Sequence, residues 1–586
     1  MSKKLYNTLR NIERQIKEDY IVKYITQKDF EAGTLLINQP GHYVLKENII
    51  FSPNADNDYM PKPDQVYNKM PGFVLGFFAA IAIYTENVYL DLNGKTILAS
   101  DEFILQQRFF SIIELANSPF IHGQGPGAFS TETSFQSSKN VIIRNGILSR
   151  NSHHCIHGNL VNNLLLENII CQDFEFVGIA LNGSSNLVLH RIEIKNNRRD
   201  IAVLATYSAA RFSRMFAKRL VAMPNLNLEQ KTNLLYYISK LEDDLNKTFT
   251  EIKKTGKTTT YFNNPTGIAD GTVYGLIIKN KGVAINELES SPKESEMTEN
   301  VFLRKVNVEN LKCNVPEILA LSNLGEKAEL IGKGGQLDAS GSVFQIYNVT
   351  KNGKYSGNSL SELQLYLAEL SLVLKIPLGK NNITQDVINW AKSGEDIQSL
   401  LAKGYIYKRS SDSMLHVNKG VFAYRFDAIK NLLLNKCNFK KIKNVGNLGI
   451  TDTDFPGCKP HDLCIRLEYP GANSYGISIA SCKDVYIQKF KGEGLLSKNG
   501  NATGLETFFN CENVNLDLTD FRKFRAGFLK NGKWKAVNFF NNVVAIVNIQ
   551  PIAIGMKLKT TSISELKNID ISDLCSCAQP IKILKF

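Results

Sequence analysis

Apolar residues return along this chain in a four-position phrase: Asn, apolar, any residue, apolar. It reads Asn140-Val141-Ile142-Ile143, Asn163-Leu164-Leu165-Leu166 and Asn186-Leu187-Val188-Leu189, a spacing of 23 residues twice over. Further copies begin at Asn87, Asn300, Asn431 and Asn513, with an Asp variant at Asp484. A second short strand repeats between these copies: Gly178-Ile179-Ala180-Leu181 follows Cys155-Ile156-His157-Gly158 by 23 residues, and Gly275 and Gly476 open later copies. Period-2 alternation sends one residue in two to each face of a strand. A strand this short cannot bury its apolar face alone, so equivalent strands must stack coil upon coil. Asn at one fixed place per coil suits a turn, where it tolerates left-handed backbone angles and its amide can form a ladder.

The pattern predicts an all-β solenoid, a right-handed single-stranded parallel β-helix with an N-terminal capping helix and two α-helical insertions. A leucine-rich solenoid needs Leu at more fixed positions, and an antiparallel sandwich would not hold a constant register. The divisions read as a helical cap over 1–30, with Leu5, Leu9, Ile12 and Ile16 at helical spacing, and coils over 31–206. A helical insertion follows over 207–266, then coils over 267–350, a second helical insertion over 351–405, and coils with a C-terminal cap over 406–586.

The middle position of the Asn phrase points outward, yet it reads Tyr89, Ile142, Leu165, Val188, Phe302, Leu433 and Tyr486, with Asn515 the exception. Such an apolar stripe needs a cover. The N-terminal segment and the helical insertions are the plain candidates, and a homo-oligomer interface is the alternative. Two positions further on, a second outward column reads Arg144, Glu167, His190. With coils roughly 4.8 Å apart, the three stand one above another. A carboxylate between a guanidinium and an imidazole is an acid–base arrangement, and equally an ordinary ladder of opposite charges.

Composition changes this picture little. Hydrophobic residues make up 43% of the 586, enough for a packed core and unlike a disordered chain. The net charge of +13 favours acidic partners, whether an acidic polysaccharide, nucleic acid or an anionic membrane, although the lysines are spread along the chain and solubility is the plainer reading. No P-loop, dinucleotide fingerprint or nucleophile elbow occurs, and no specific nucleic-acid motif. The start of the chain lacks the apolar segment of a signal peptide, and the most apolar stretch, 72–84, is too short to span a bilayer. Synthesis in a cytosol with reduced thiols is the expectation, and packaging into a virion stays open.

Three clusters carry candidate chemistry. Glu167 and His190 are candidate acid–base residues, with Arg144 as a ligand-binding neighbour. His153, His154 and His157 sit just before and within one strand and suggest a divalent-metal or glycan-binding edge, or else a loop decoration; Arg198 and Arg199 are further ligand-binding candidates, next to the basic stripe of the first insertion. Asp452 and Asp454, with His461 and Asp462, occupy a Pro/Gly-rich loop where paired carboxylates could work on a glycosidic bond or hold calcium. No metal site or other cofactor is implied. Arg211, Arg214 and Lys218 make a basic stripe on the first insertion.

The stretches Asn87 to Ile97, Asn140 to Leu148 and Gln39 to Leu45 resemble right-handed β-helix repeat proteins of the pectin-lyase-like superfamily, which occur in giant DNA viruses and in bacteria. The resemblance covers about two thirds of the chain as architecture. It implies a structural or glycan-binding protein, such as a component of a virus particle, or else a polysaccharide lyase or glycoside hydrolase acting in an outer groove. The residues that polygalacturonases of this fold carry are not matched. Thr453-Asp454 follows Asp452 where that family has Asn, Arg191-Ile192 precedes Glu193 where it has Lys, and Asp243-Asp244 falls in the first insertion. The non-catalytic reading is therefore the first expectation.

Overall fold

The computed structural model describes residues 2–57, 79–104, 110–119, 135–196, 226–255, 273–280, 296–313, 420–445, 473–498, 500–535 and 551–586, with short pieces between them. Among these, two large sheets of 16 and 11 strands dominate, and their strand pairings are parallel throughout. The chain is an all-β parallel fold with few helices. Successive strands alternate between the sheets: Lys139–Asn151 lies in the first, His154–Asn159 in the second, Asn162–Phe174 in the first and Val177–Asn182 in the second. Over these residues each coil gives one strand to each sheet; further on, Ile429–Asn435 and Asn438–Asn444 of one coil both join the first.

The register is that of the repeat. Leu164 sits opposite both Val141 and Leu187, and Ile179 opposite Ile156. Where the chain leaves the stack it returns in step. Val301 lies opposite Leu187 after 114 residues, and Leu432 opposite Val301 after 131. The inward positions Val88, Val141, Leu164, Leu187, Val301, Leu432, Val485 and Val514 are fully buried and form one continuous core. Of the expected insertions, the first contains the helix Leu228–Thr255, and 351–405 lies outside the described residues.

The Asn of each phrase turns a corner. Asn87, Asn140, Asn163, Asn186, Asn300, Asn431 and Asn513, and Asp484 with them, have φ between 53° and 64°. That left-handed region costs an ordinary side chain about 1–2 kcal/mol and costs Asn less. The amides then bond from coil to coil: Asn140 to Asn87 at 2.9 Å, Asn163 to Asn140 at 2.8 Å, Asn300 to Asn186 at 2.9 Å. The file slips where Asn186 donates to Asn162 instead of Asn163, and lapses at Asp484, whose carboxylate has no proton to give Asn431. Cys155, Cys171, Cys313, Cys437, Cys482 and Cys511 are buried free thiols.

The N-terminal helix corrects one expectation. Helix α1, Ser2–Asp19, does not cap an end of the stack; it lies along the outer face of the first sheet. Residues 22–30 instead supply that sheet's first strand, Val22–Ile25, and send Phe30 into the core against Phe51. Two periods explain the fit. One helical turn rises about 5.4 Å and one coil about 4.8 Å, so each turn meets one coil. Leu9 and Ile16 are buried against Tyr89, Ile142, Leu165, Val188 and Phe302, with Leu5 and Ile12 partly buried beside them. The N-terminal segment is thus the cover for the apolar stripe over these coils. Beyond the helix the stripe emerges at Tyr486, which is 40% exposed.

Candidate functional site

The second stripe of α1, one residue on from the apolar one, carries Tyr6, Arg10, Glu13 and Lys17. It lands on the column predicted from the repeat, in which Arg144, Glu167 and His190 are indeed neighbours on consecutive coils. The Glu167 carboxylate is 3% exposed, with two hydrogen bonds on one oxygen and an ion pair at the other. The Tyr6 hydroxyl donates to its Oε1 at 2.7 Å, the His190 imidazole to the same oxygen at 2.7 Å, and the Arg144 guanidinium faces Oε2 at 2.7 Å. Arg144 also donates to Glu13 Oε1 at 2.8 Å, and Glu13 pairs in turn with Arg10 and Lys17. Lys17 rests over the Tyr89 ring at 4.2 Å.

Burial alone would raise the Glu167 carboxyl. The hydrogen bonds from Tyr6 and His190 and the charge of Arg144 outweigh it and hold the group below its ordinary value. His190 moves down as well, through burial first, with Arg191 and Arg304 adding to the effect against the pull of Glu167. Tyr6 is pushed up by burial and by Glu167. A carboxylate that accepts this many donors and has α1 over it is a poor general base, because each donor must be given up before it takes a proton. The column is an ion network that fixes the helix.

The three histidines come together on the outer face of the second sheet. They are buried rather than fringing a loop. His157 sits opposite Glu114, with its Nδ1 within 2.8 Å of the carboxylate, and Glu114 is completely buried. Ser111 donates to Glu114 at 3.3 Å, and the Asn182 amide faces His157 Nε2 at 3.3 Å. This surrounding puts the imidazole proton on Nδ1, toward Glu114. His153 and His154 share a contact between their Nδ1 atoms at 2.6 Å, and the His154 and His157 rings stack at 4.7 Å. Burial raises Glu114; burial and the neighbouring His153, His157 and Lys279 drive His154 well down.

Glu114 escapes the repeat phrase because a long connection separates its strand, Ser111–Glu114, from the next. Setting Ile113 over Ile156 would have found it. Further along the same outward column stands Arg425, also missed, paired with Asp427 at 3.1 Å and flanked by the rings of Phe422 and Phe508. Asp452, Asp454, His461, Asp462, Arg198, Arg199 and Arg211 lie outside the described residues. Arg214 and Lys218 both pair with Glu242, so that basic stripe is partly neutralised within the insertion.

No known family model matches the chain, and no curated protein matches it at a significant level. The functional reading therefore rests on the residues. Among the described residues no group of three or more His, Cys, Asp or Glu is set to hold a metal ion, and no helix is long and apolar enough to cross a membrane.

The depressed His154 has a consequence for stability. A histidine whose folded value lies below the unfolded one contributes fully above about pH 6.5, and that contribution is lost as pH falls below it. Urea midpoints should therefore drop between pH 7.5 and pH 5.5, and His154→Gln should shrink the drop. An unchanged drop in the variant would assign the acid sensitivity to His42 and His190, which are depressed in the same direction.

Proposed function

We propose that the chain is a right-handed parallel β-helix of the pectin-lyase-like type, serving as a non-catalytic structural or glycan-binding protein, with a virus particle as the setting that the resemblance suggests. The observation that carries the non-catalytic reading is the roof over Glu167. The outward column best suited to acid–base work is occupied by the protein's own helix, with Tyr6 and His190 bonded to one oxygen of its carboxylate and Arg144 paired with the other. A long, regular, parallel scaffold with exposed outward columns is suited to displaying a binding surface. The alternative is a carbohydrate-active enzyme, and the buried Glu114–His157 pair is the observation in its favour, since a carboxylate holding Nδ1–H orients an imidazole for proton transfer.

Incubation with polygalacturonate, alginate and heparin, with and without calcium, separates the two. The expected result is co-sedimentation or retention of polymer with no release of reducing ends and no unsaturated product. Product release that disappears in Glu114→Gln would establish the enzyme instead.

A further inference from the structure

From Asn145 onward the coils of the first sheet have a second left-handed corner, just past the Arg144–Glu167–His190 column. In the early coils it is occupied by Asn145 and Asn168, with φ of 59° and 55°. Their amides bond down the stack, Asn145 to Asp91 at 3.1 Å and Asn168 to Asn145 at 3.2 Å. In the next four coils the same corner reads Arg191, Lys305, Lys436 and Lys489, with φ of 55°, 55°, 55° and 53°. The pairings on either side place these four in one file. His190 meets Arg304 and Ile192 meets Val306; Arg304 meets Asn435 and Asn307 meets Asn438; Asn435 meets Gln488 and Asn438 meets Lys491.

This file departs from local preference in three ways at once. It places long cationic side chains in a backbone conformation that Asn adopts more readily. It gives up the amide ladder of the coils before it. It also stacks like charges at roughly 4.8 Å, an arrangement that destabilises a sheet. All four side chains are exposed, and among the described residues none of them makes an ion pair. Two acids on the same face are engaged with other residues, Glu193 with Lys195 at 3.1 Å and Asp517 with Asn568 at 2.9 Å. The column on one side of the file reads His190, Arg304, Asn435 and Gln488, and on the other Glu193, Asn307, Asn438 and Lys491, so amides flank its middle coils. The Asn438 side-chain oxygen is buried without a hydrogen-bond partner.

We propose that Arg191, Lys305, Lys436 and Lys489 form a binding track for a linear acidic polysaccharide lying along the stacking axis, one anionic group per coil, with the flanking amides meeting its hydroxyls. The site deepens the glycan-binding reading above and rests on it. The track spans three steps, about 14 Å, and a sugar chain with one carboxylate or sulfate per residue repeats at a similar interval. A single-stranded nucleic acid would want aromatic platforms for its bases. The flanking columns offer amides and two further cations, Arg304 and Lys491.

The test uses the full-length chain and a fluorescent heparin oligosaccharide, read by anisotropy across a salt series. Replacing Lys305, Lys436 and Lys489 together by Asn restores the residue that the early coils use, so the variant should melt no lower than the wild type. It should also bind at least about tenfold more weakly, with the salt slope reduced by about 2 to 3. A matched variant, Lys28→Asn, Lys582→Asn and Lys585→Asn, removes the same charge from exposed positions elsewhere and should bind within about twofold of the wild type. Equal loss in both variants would overturn the track in favour of diffuse charge. A lower melting temperature in the track variant would overturn it in favour of a structural role. Tighter binding of an oligothymidylate than of heparin through the same lysines would overturn the choice of ligand. Heparin binding that survives the track substitutions removes this site and leaves the glycan-binding reading standing; a wild type that binds no acidic glycan removes both.

Discussion

Glu167→Gln should lower the unfolding free energy by about 3 kcal/mol or more, because it removes one charge from a buried network and leaves the others facing each other. Arg144, at 15% side-chain exposure, would lose its partner on the sheet and keep only Glu13 on the helix. Tyr6 and His190 would share a neutral amide oxygen in place of a carboxylate. The loss should appear in chemical denaturation as a lower midpoint. Because the network ties α1 to the sheet, amide exchange across Ser2–Asp19 should quicken more than exchange in Asn162–Phe174. A variant as stable as the wild type would mean that the apolar stripe alone, through Leu9 and Ile16, holds the helix.

Gly178→Val carries the second large effect. A Cβ at Gly178 would lie 2.6 Å from the carbonyl oxygen of Gly275 and 2.6 Å from a methyl of Ile194, and neither is the free end of a flexible side chain. The position faces inward, where Ile194 from the first sheet fills the space that the missing side chain leaves. Overpacking here should cost about 3 kcal/mol or more, since relief needs the two sheets to part. Gly178→Ala should cost less, because Ala423 holds the equivalent place two coils on. Melting temperatures of the two variants test the ordering, and equal values would show that the stack widens freely at this coil.

The repeat made the coils legible because it is written in residue types with narrow roles. An Asn at a left-handed corner and an apolar pair two residues apart leave little freedom, and the 23-residue register of Leu164 and Leu187 follows directly. The same arithmetic placed Glu167 between Arg144 and His190. It could not say what lay over them, because that depends on a helix whose polar stripe, Tyr6 to Lys17, reads as an ordinary solvated face until its pitch is matched to the coil spacing. The histidines were visible, but their partner Glu114 was not: its coil carries a long connection, and the alignment breaks there. The cationic track was hidden for a different reason. Arg191, Lys305, Lys436 and Lys489 are far apart in sequence and unremarkable singly, and only a shared corner makes them one surface.

The excursions between coils bear on how the chain assembles. Over 139–195 each new strand meets its neighbour after 23 residues, whereas Val301 must find Leu187 across 114 and Leu432 must find Val301 across 131. Closing the longer loops costs more entropy before any contact rewards it. Nucleation therefore belongs to the short-period coils, and the later ones accrete onto a template that is already standing. Chains emerging from a ribosome would hold that template ready well before residues 420–586 exist to join it.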